Sequence, residues 1–346
     1  MTNAKLIGLS SVQHFLVDGL CICSMFLLAE IYGERFGAYG DRVSMGAVLV
    51  YNVLAFVSQP LTGMMADRMT ARHWLLIASS LLLTLAVACA SMIPTLMTEA
   101  PNLMWEGLGE GLLILVAVLL GAGNSLFHVW GGKQTVVKAG NDPRALGVFV
   151  STGALGLAVG LVYCSWQLLY VLLLAFVVLS VVNVRSDRGH EACATDASLP
   201  ADNDMAPQIP RRWLTPLNVW VVVVLLMLFV GYRSFTGEVF ARGIHKSQAL
   251  ILTIGAVSML GKMAGGWLVC RLGILRPMAA VVAGVALCLL FRGDSVAVLL
   301  AGIFLMNTTM PVTLYLANDV LPGREGLAFG LLAAALIPGY LLAVYL

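Results

Sequence analysis

Two ionisable residues in the first apolar segment have the spacing that a proton carrier within a membrane requires. His14 and Asp18 are four residues apart, which places both side chains on one face of a helix. At 1.5 Å per residue, Asp18 lies roughly 18 Å along that helix, near the middle of a bilayer. A carboxyl group held away from water retains its proton more readily, and histidine titrates near neutrality. The pair suits either a proton carrier or a hydrogen-bonded pair that locks the helix to a neighbour.

Two basic residues in later apolar segments are candidates for binding an anion. Arg233 lies near one end of the seventh segment, and Lys262 lies in the eighth. Ionisable groups at membrane depth are energetically unfavourable, so each is a candidate functional residue. Either side chain can hold an anionic group if it faces an internal cavity. Arg233 has an equally favoured alternative, in which its side chain extends to the membrane surface.

Five further polar residues within apolar segments are candidates for contacts with a small molecule. They are Asn52, Gln59, Asn124, His128 and Asn307. Hydrogen bonding between helices is an equal alternative for Asn52 and Asn307, and His128 has the alternative of fixing its helix through a backbone carbonyl group. Gln59 precedes Pro60, and it either caps an unwound turn or faces the cavity. The histidines lack metal-ligand spacing, so the sequence predicts no metal site.

The segment GMMADRMTAR, residues 63–72, gathers charge in an otherwise apolar chain. Gly63 permits close approach of another helix, and Asp67 can accept hydrogen bonds from the start of one. Arg68 and Arg72 can pair with carboxylates or with carbonyl groups at helix ends. We expect a latch between helices at the cytoplasmic face, whose opening favours an inward-open state. Basic residues that only fix orientation are the alternative.

The composition identifies an integral membrane protein. Hydrophobic residues make up 60% of the 346 and charged residues 11%, against roughly 25% charged residues in a soluble domain. The net charge of +2 says nothing about nucleic acid, and no basic cluster indicates that the chain binds it, so we expect no nucleic-acid partner. Catalytic and Walker motifs are lacking, so we expect neither an enzyme nor a cofactor.

Apolar runs long enough to cross a bilayer recur along the chain. They lie at about 6–31, 43–66, 73–95, 110–131, 145–163 and 166–184, and then at 214–236, 248–270, 276–291, 295–318 and 325–346. We therefore predict an all-α membrane protein with about 11 transmembrane helices.

A polar stretch divides these segments into six and five. Residues 185–213 are rich in Asp, Ala and Pro and lack apolar periodicity, which is typical of a flexible linker. We expect a six-helix bundle at 1–184 and a five-helix bundle at 214–346. With the N-terminus in the cytoplasm, most Lys and Arg residues of the loops fall on the cytoplasmic side. This predicts a multi-pass protein of the cell (inner) membrane with the linker inside.

The two halves share an order of motifs, as in transporters built from repeats. GMMADRMTAR at 63–72 is similar to GWLVCRLGILR at 266–276, which pairs Arg68 with Arg271 and Asp67 with Cys270. NSLFHV at 124–129 likewise parallels NTTMPV at 307–312. We expect Arg271 to belong to a second, weaker latch and the binding site to lie between the bundles.

The spacing of Gly63, Asp67, Arg68 and Arg72 resembles the loop 2–3 signature of the major facilitator superfamily. A narrower resemblance is to its fosmidomycin-resistance branch, which comprises efflux permeases. The motifs that carry it are QHFLVD (13–18), QPLTGMMADR (59–68), GAGNSLFHVWGG (121–132), GYRSF (231–235) and PVTLYLANDVLPGREGLAFG (311–330). The superfamily usually has twelve helices, whereas this sequence has eleven, so the last helix is expected to be missing.

The residues and the resemblance together predict a secondary active transporter. It would export a small organic compound, anionic and drug-like or phosphonate-like, in exchange for protons, and so contribute to antibiotic resistance. His14 and Asp18 would carry the proton, and Arg233 with Lys262 would hold the cargo. The alternatives are import or facilitated diffusion of a metabolite, and a membrane sensor or assembly partner without transport. We expect a monomer whose partners are the cargo, protons and lipid.

Overall fold

The computed structural model describes residues 2–99, 103–191, 215–242, 244–291 and 295–345, which form helices joined by short turns. A π-helical turn, Val53–Val57, separates the second helix from the third. The helices are α1 (Asn3–Phe36), α2 (Ala38–Asn52), α3 (Gln59–Arg68), α4 (His73–Glu99), α5 (Leu103–Ala139), α6 (Pro143–Val162), α7 (Trp166–Glu191), α8 (Pro216–Ala241), α9 (Gln248–Leu272), α10 (Leu275–Leu290), α11 (Val296–Val320), α12 (Glu325–Ala334) and α13 (Leu336–Tyr345).

Within these ranges, 10 segments are long and apolar enough to cross a membrane, and α10 is a shorter apolar helix. α2 and α3 together form one crossing segment, and α12 and α13 form another. The prediction of an all-α membrane protein with about 11 transmembrane helices is confirmed. α1 and α5 are longer than predicted, because hydropathy marks where apolar residues end rather than where helical hydrogen bonding ends.

The predicted linker is helical where it begins. α7 continues through residues 185–191, and residues 192–214 lie outside the described chain. The prediction of an irregular linker from residue 185 is therefore wrong for its first turns. Once a helix has formed in the apolar segment, each further residue adds a hydrogen bond without a new nucleation cost, so the helix can continue into polar residues.

Two crossing segments are interrupted near their middle. In the first, the π-helical turn is followed by Pro60 in the first turn of α3, and proline cannot donate a backbone hydrogen bond to the preceding turn. In the second, the helix is interrupted at Ala335 between α12 and α13. Such interruptions occur frequently at functional sites, and both of these adjoin the cavity described below.

The halves of the chain meet along two pairs of helices. α6 packs along α9, and α3 packs along α12. The second contact is so close that a Cβ atom added to Gly63 would collide with the backbone carbonyl group of Gly326. Glycine at this position therefore lets the two backbones touch. We call the end of the molecule where Arg68 and Glu325 lie the latch end.

Candidate functional site

A cavity of about 400 Å³ lies between the two halves, and its wall is mostly apolar. A second cavity of about 490 Å³ shares Arg233 and Lys262 with it and continues to Glu238 and the exposed Lys246. Since Lys246 lies at the end of the molecule opposite the latch end, the central cavity continues in that direction. The predicted site residues that line the central cavity are His14, Asp18, Asn52, Gln59, His128, Arg233, Lys262 and Asn307.

Asn124, the remaining predicted contact residue, lies outside this lining and is only 1% exposed. Its side-chain amide donates to the hydroxyl group of Tyr51 at 3.1 Å and lies 3.6 Å from Cys21 Sγ. These contacts join α5 to α2 and α1. The position of Asn124 therefore favours a role in joining helices over the predicted contact with cargo.

Three ionisable side chains converge on one wall of the cavity. His14 Nε2 and His128 Nε2 are 2.9 Å apart. Each of these nitrogen atoms lies 3.3 Å from a different carboxylate oxygen of Asp18. We call these three residues the acceptor cluster. His128 comes from α5, 114 positions away from His14 along the chain, so the spacing of the histidines could not reveal this convergence.

Backbone carbonyl groups determine which ring nitrogen of each histidine carries a hydrogen. His14 Nδ1 lies 2.8 Å from the Phe149 carbonyl oxygen, and His128 Nδ1 lies 3.0 Å from the Asn124 carbonyl oxygen. A carbonyl oxygen only accepts hydrogen bonds, so both Nδ1 atoms are donors. In the neutral rings both Nε2 atoms then present lone pairs. These lone pairs and the Asp18 carboxylate repel one another unless a cation binds among them.

Gly153 of α6 provides the space for the acceptor cluster. A Cβ atom at this position would collide with Asp18 Oδ2 and would lie 2.5 Å from His14 Nε2. The α6 backbone therefore covers one side of the acceptor cluster without a side chain. QHFLVD gave a sequence signal for two members of the cluster, and nothing in the sequence indicated that Gly153 borders it.

Two basic side chains in the central cavity have no anionic partner among the described residues. Arg233 is 8% exposed, and its Nη1 atom is buried without a hydrogen bond. Arg233 therefore faces the cavity rather than the membrane surface. Lys262 also lines the cavity, and no ion pair forms with it in the described chain. A buried cation without a partner is energetically unfavourable, so an anion is the ligand that this part of the cavity favours.

The latch end contains a network around Asp67. Its carboxylate accepts hydrogen bonds from the backbone N–H groups of Gly326 and Leu327, both at 2.9 Å. These groups lie at the start of α12, where the helix dipole favours a negative charge. Lys133 Nζ lies 2.5 Å from Asp67 and 3.7 Å from Glu325. The sequence predicted Gly63 and Asp67 as latch residues, whereas Lys133 was not among the predicted gate residues.

The other predicted gate residues do not complete ion pairs in the parts of the chain that are described. Arg68 and Arg72 lack a carboxylate partner there, and Arg72 Nε is buried without a hydrogen bond. Arg271 of the second motif copy is exposed and likewise unpaired in this part of the chain. The predicted latch therefore depends on Asp67 and Lys133 rather than on the arginines.

The second motif copy packs against the start of α6, whereas the first copy packs against the start of α12. A Cβ atom at Gly266 would collide with the Pro143 carbonyl group. Asp142 caps the start of α6 by accepting from the Arg144 backbone N–H at 2.8 Å. The Arg144 guanidinium group pairs with this carboxylate at 2.7 Å and lies 5.7 Å from the centre of the Trp267 ring. Here the carboxylate comes from α6 itself.

Comparisons with known proteins agree with this architecture. The family model described as Major Facilitator Superfamily matches residues 11–343. The chain belongs to the major facilitator superfamily. It is therefore a membrane transporter rather than an enzyme, as the sequence predicted.

Solved structures of other superfamily members share the fold. The fucose:proton symporter of E. coli aligns with 100% of this chain and 91% of its own length, at 12% identity and a TM-score of 0.63. A bacterial homologue of the iron transporter ferroportin, in an outward-facing state, aligns with 98% and 91% at 14% identity and a TM-score of 0.65. A search of curated proteins finds no match.

Proposed function

We propose that this superfamily member exports a small organic anion by alternating access. The observation that carries this proposal is the pair of basic side chains, Arg233 and Lys262, that lack a partner in the central cavity. An anionic group bound between them would give both cations a partner of opposite charge. The apolar wall around them suits a cargo with an apolar body, and the volume of about 400 Å³ suits a drug-sized compound.

For the coupling ion we propose the proton. The acceptor cluster offers three acceptors without a donor, so a bound cation would relieve the repulsion among them. It shares the cavity with Arg233 and Lys262, and binding of a proton and of the anion would therefore be linked. His128 joins His14 and Asp18 in this role, in addition to the cargo contact expected for it.

The latch residues support a gate that closes the cavity on one side. Asp67 and Lys133 hold α3 against α12 while the cavity continues towards Lys246. With the proposed orientation, N-terminus in the cytoplasm of a cell with an inner membrane, this arrangement is outward-facing. Rupture of the latch would then favour the inward-facing state, in which cargo enters from the cytoplasm.

Uptake is the second candidate. The fold is similar to that of a fucose:proton symporter, in which both partners move in the same direction. The fosmidomycin-resistance motifs favour efflux, and phosphonates are accordingly the first cargo to test. Transport of fosmidomycin in everted vesicles distinguishes the two candidates. An exporter that exchanges the drug for protons accumulates it when the vesicle lumen is more acidic than the medium. An importer that moves it together with protons does so only when the medium is the more acidic side.

The test of the anion site compares two neutralised variants with a surface control. Replacing one charged partner of a hydrogen bond costs about 1.5–3 kcal/mol, so Arg233→Gln and Lys262→Gln should weaken cargo binding roughly 10- to 150-fold. Arg276→Gln, at an exposed position of α10, should bind normally. Unchanged binding and transport in both cavity variants would refute the proposal.

Proton coupling has its own test. Everted vesicles with Asp18→Asn should bind cargo but fail to accumulate it when a proton gradient is applied. A protonophore should abolish accumulation by the wild type and leave the variant unaffected. Gradient-driven accumulation that persists in Asp18→Asn would remove the acceptor cluster from the coupling mechanism, and a chain that moves no cargo under any gradient would favour the sensor or assembly-partner alternative.

A further inference from the structure

We propose that the acceptor cluster, His14, Asp18 and His128, is a binding site for a divalent transition-metal ion. The ligand atoms of the three residues all lie within 4.8 Å of one another. Each residue is at most 9% exposed, and all three line the central cavity. An ion bound there would be buried on the protein side and reachable from the cavity.

The distances within the acceptor cluster match those between neighbouring ligands of one metal ion. With bonds of about 2.0–2.2 Å, adjacent ligand atoms in tetrahedral or octahedral geometry are about 2.9–3.5 Å apart. The observed separations are 2.9 Å between the two histidine nitrogens and 3.3 Å from each nitrogen to a different oxygen of Asp18, so the carboxylate would ligate through both of its oxygens. An ion placed among them would therefore need little movement of the side chains.

A single proton bound in the acceptor cluster fits these distances less well than a metal ion does. One proton can bridge the two histidine nitrogens at 2.9 Å. It leaves both contacts to Asp18 at 3.3 Å, which is longer than the usual 2.7–2.9 Å of a charge-assisted hydrogen bond. A metal ion at the centre would satisfy all three ligands together.

The surroundings of both histidines are those of metal ligands. A ligating histidine almost always donates its other ring N–H to a carbonyl or carboxylate group, which fixes the ring and its tautomer. His14 does this with Phe149 and His128 with Asn124. Both Nε2 atoms are thus free to ligate, and Gly153 has no Cβ atom that would collide with His14 Nε2 and Asp18 Oδ2.

The ligand set defines the class of ion. Two imidazole nitrogens with one carboxylate suit Fe²⁺, Co²⁺, Ni²⁺ or Zn²⁺, whereas Mg²⁺ and Ca²⁺ prefer oxygen ligands alone. Three protein ligands leave coordination positions on the cavity side for water or for an oxygen atom of an anion. This inference is independent of the proposed cargo. Since the metal and the proposed coupling proton need the same lone pairs, they exclude each other.

Titration of the purified chain with Co²⁺ tests the site. The full-length protein, without a polyhistidine tag, is titrated in detergent in the absence of cargo, and visible absorption of bound Co²⁺ is recorded. One equivalent should bind. Removing a ligand should cost at least as much as removing its hydrogen-bond partner, about 10- to 100-fold in affinity. We expect this loss in Asp18→Asn and His128→Gln, and full binding in His245→Gln, whose histidine is exposed.

Three results would overturn the proposal: a wild type that binds no Co²⁺ saturably, binding that survives both cluster substitutions, or loss only in His245→Gln. X-ray absorption of the wild-type complex provides a readout that does not depend on how the variants fold. It should show two imidazole nitrogens and no sulfur, and sulfur ligation would place the ion elsewhere. Because neither cargo nor a gradient is present, the result is separable from failure of the transport proposal.

Discussion

Replacement of Asp67 by asparagine should open the latch end. The carboxylate accepts two backbone hydrogen bonds from the start of α12 and pairs with Lys133. The amide has one oxygen acceptor in place of two and carries no charge. Among the residues that the structure describes, Lys133 would then keep only Glu325, at 3.7 Å, as an ionic partner. The substitution changes the volume of the side chain little, so the effect should come from charge and hydrogen bonding.

The size of this effect follows from burial. The Lys133 and Asp67 side chains are only 4% and 10% exposed, and removing one member of a buried ion pair costs about 3–5 kcal/mol. The amide oxygen recovers about 1 kcal/mol by accepting from one of the two N–H groups. The closed latch end should therefore lose about 2–4 kcal/mol. This corresponds to a shift between closed and open states by a factor of about 30 to 700.

Hydrogen–deuterium exchange measures this shift without labels. Backbone amide hydrogens of the peptides covering residues 59–68 and 321–330 should exchange faster in Asp67→Asn than in the wild type. The increase should reach up to the factor of about 30 to 700 derived above. Arg68→Gln is the matched control, because Arg68 lies next in sequence and has no ion-pair partner among the described residues. Equal exchange in Asp67→Asn and the wild type, or equally fast exchange in both variants, would refute the role of Asp67.

Three further substitutions test other parts of the structure. Gly153→Ala should abolish both Co²⁺ binding and proton-driven transport, whereas Gly46→Ala, with open space around it, should preserve both. Gln13→Leu removes two hydrogen bonds to buried side chains of α7, and should lower the unfolding free energy in detergent by about 1–3 kcal/mol without changing cargo affinity. Arg144→Gln removes the ion pair with Asp142 and the cation–π contact with Trp267, and should lower the free energy of unfolding by about 1–2 kcal/mol; an unchanged melting temperature would contradict this.

The transmembrane segments were predictable because the bilayer imposes a length and a composition on each of them. The segment 143–162, for example, was predicted within two residues at either end. The ends of α1 and α5 were not predicted, because turns beyond the apolar run can remain helical. The first turns of the linker were missed for the same reason.

The candidate site was predictable only where its members are close in sequence. His14 and Asp18 share a helix face, and the periodicity of α1 was enough to pair them. His128 and Gly153 join them through the packing of α5 and α6, which a single sequence does not encode locally. Lys133 was missed because its charge has the same sequence signature whether it anchors a loop or pairs with Asp67.

Two short helices connect the cavity to the latch mechanically. α3 has Gln59 at the cavity and Asp67 at the latch, and α12 has Gly326 at the latch and Phe329 at the cavity. Each is separated from the rest of its crossing segment by an interruption, so each can tilt without moving the whole segment. Gly330 packs against the Gln59 backbone, so the two helices touch at the cavity as well as at the latch. Cargo that displaces Phe329 would therefore strain the hydrogen bonds of Asp67, and this contact is a physical route by which occupancy of the cavity can open the latch end.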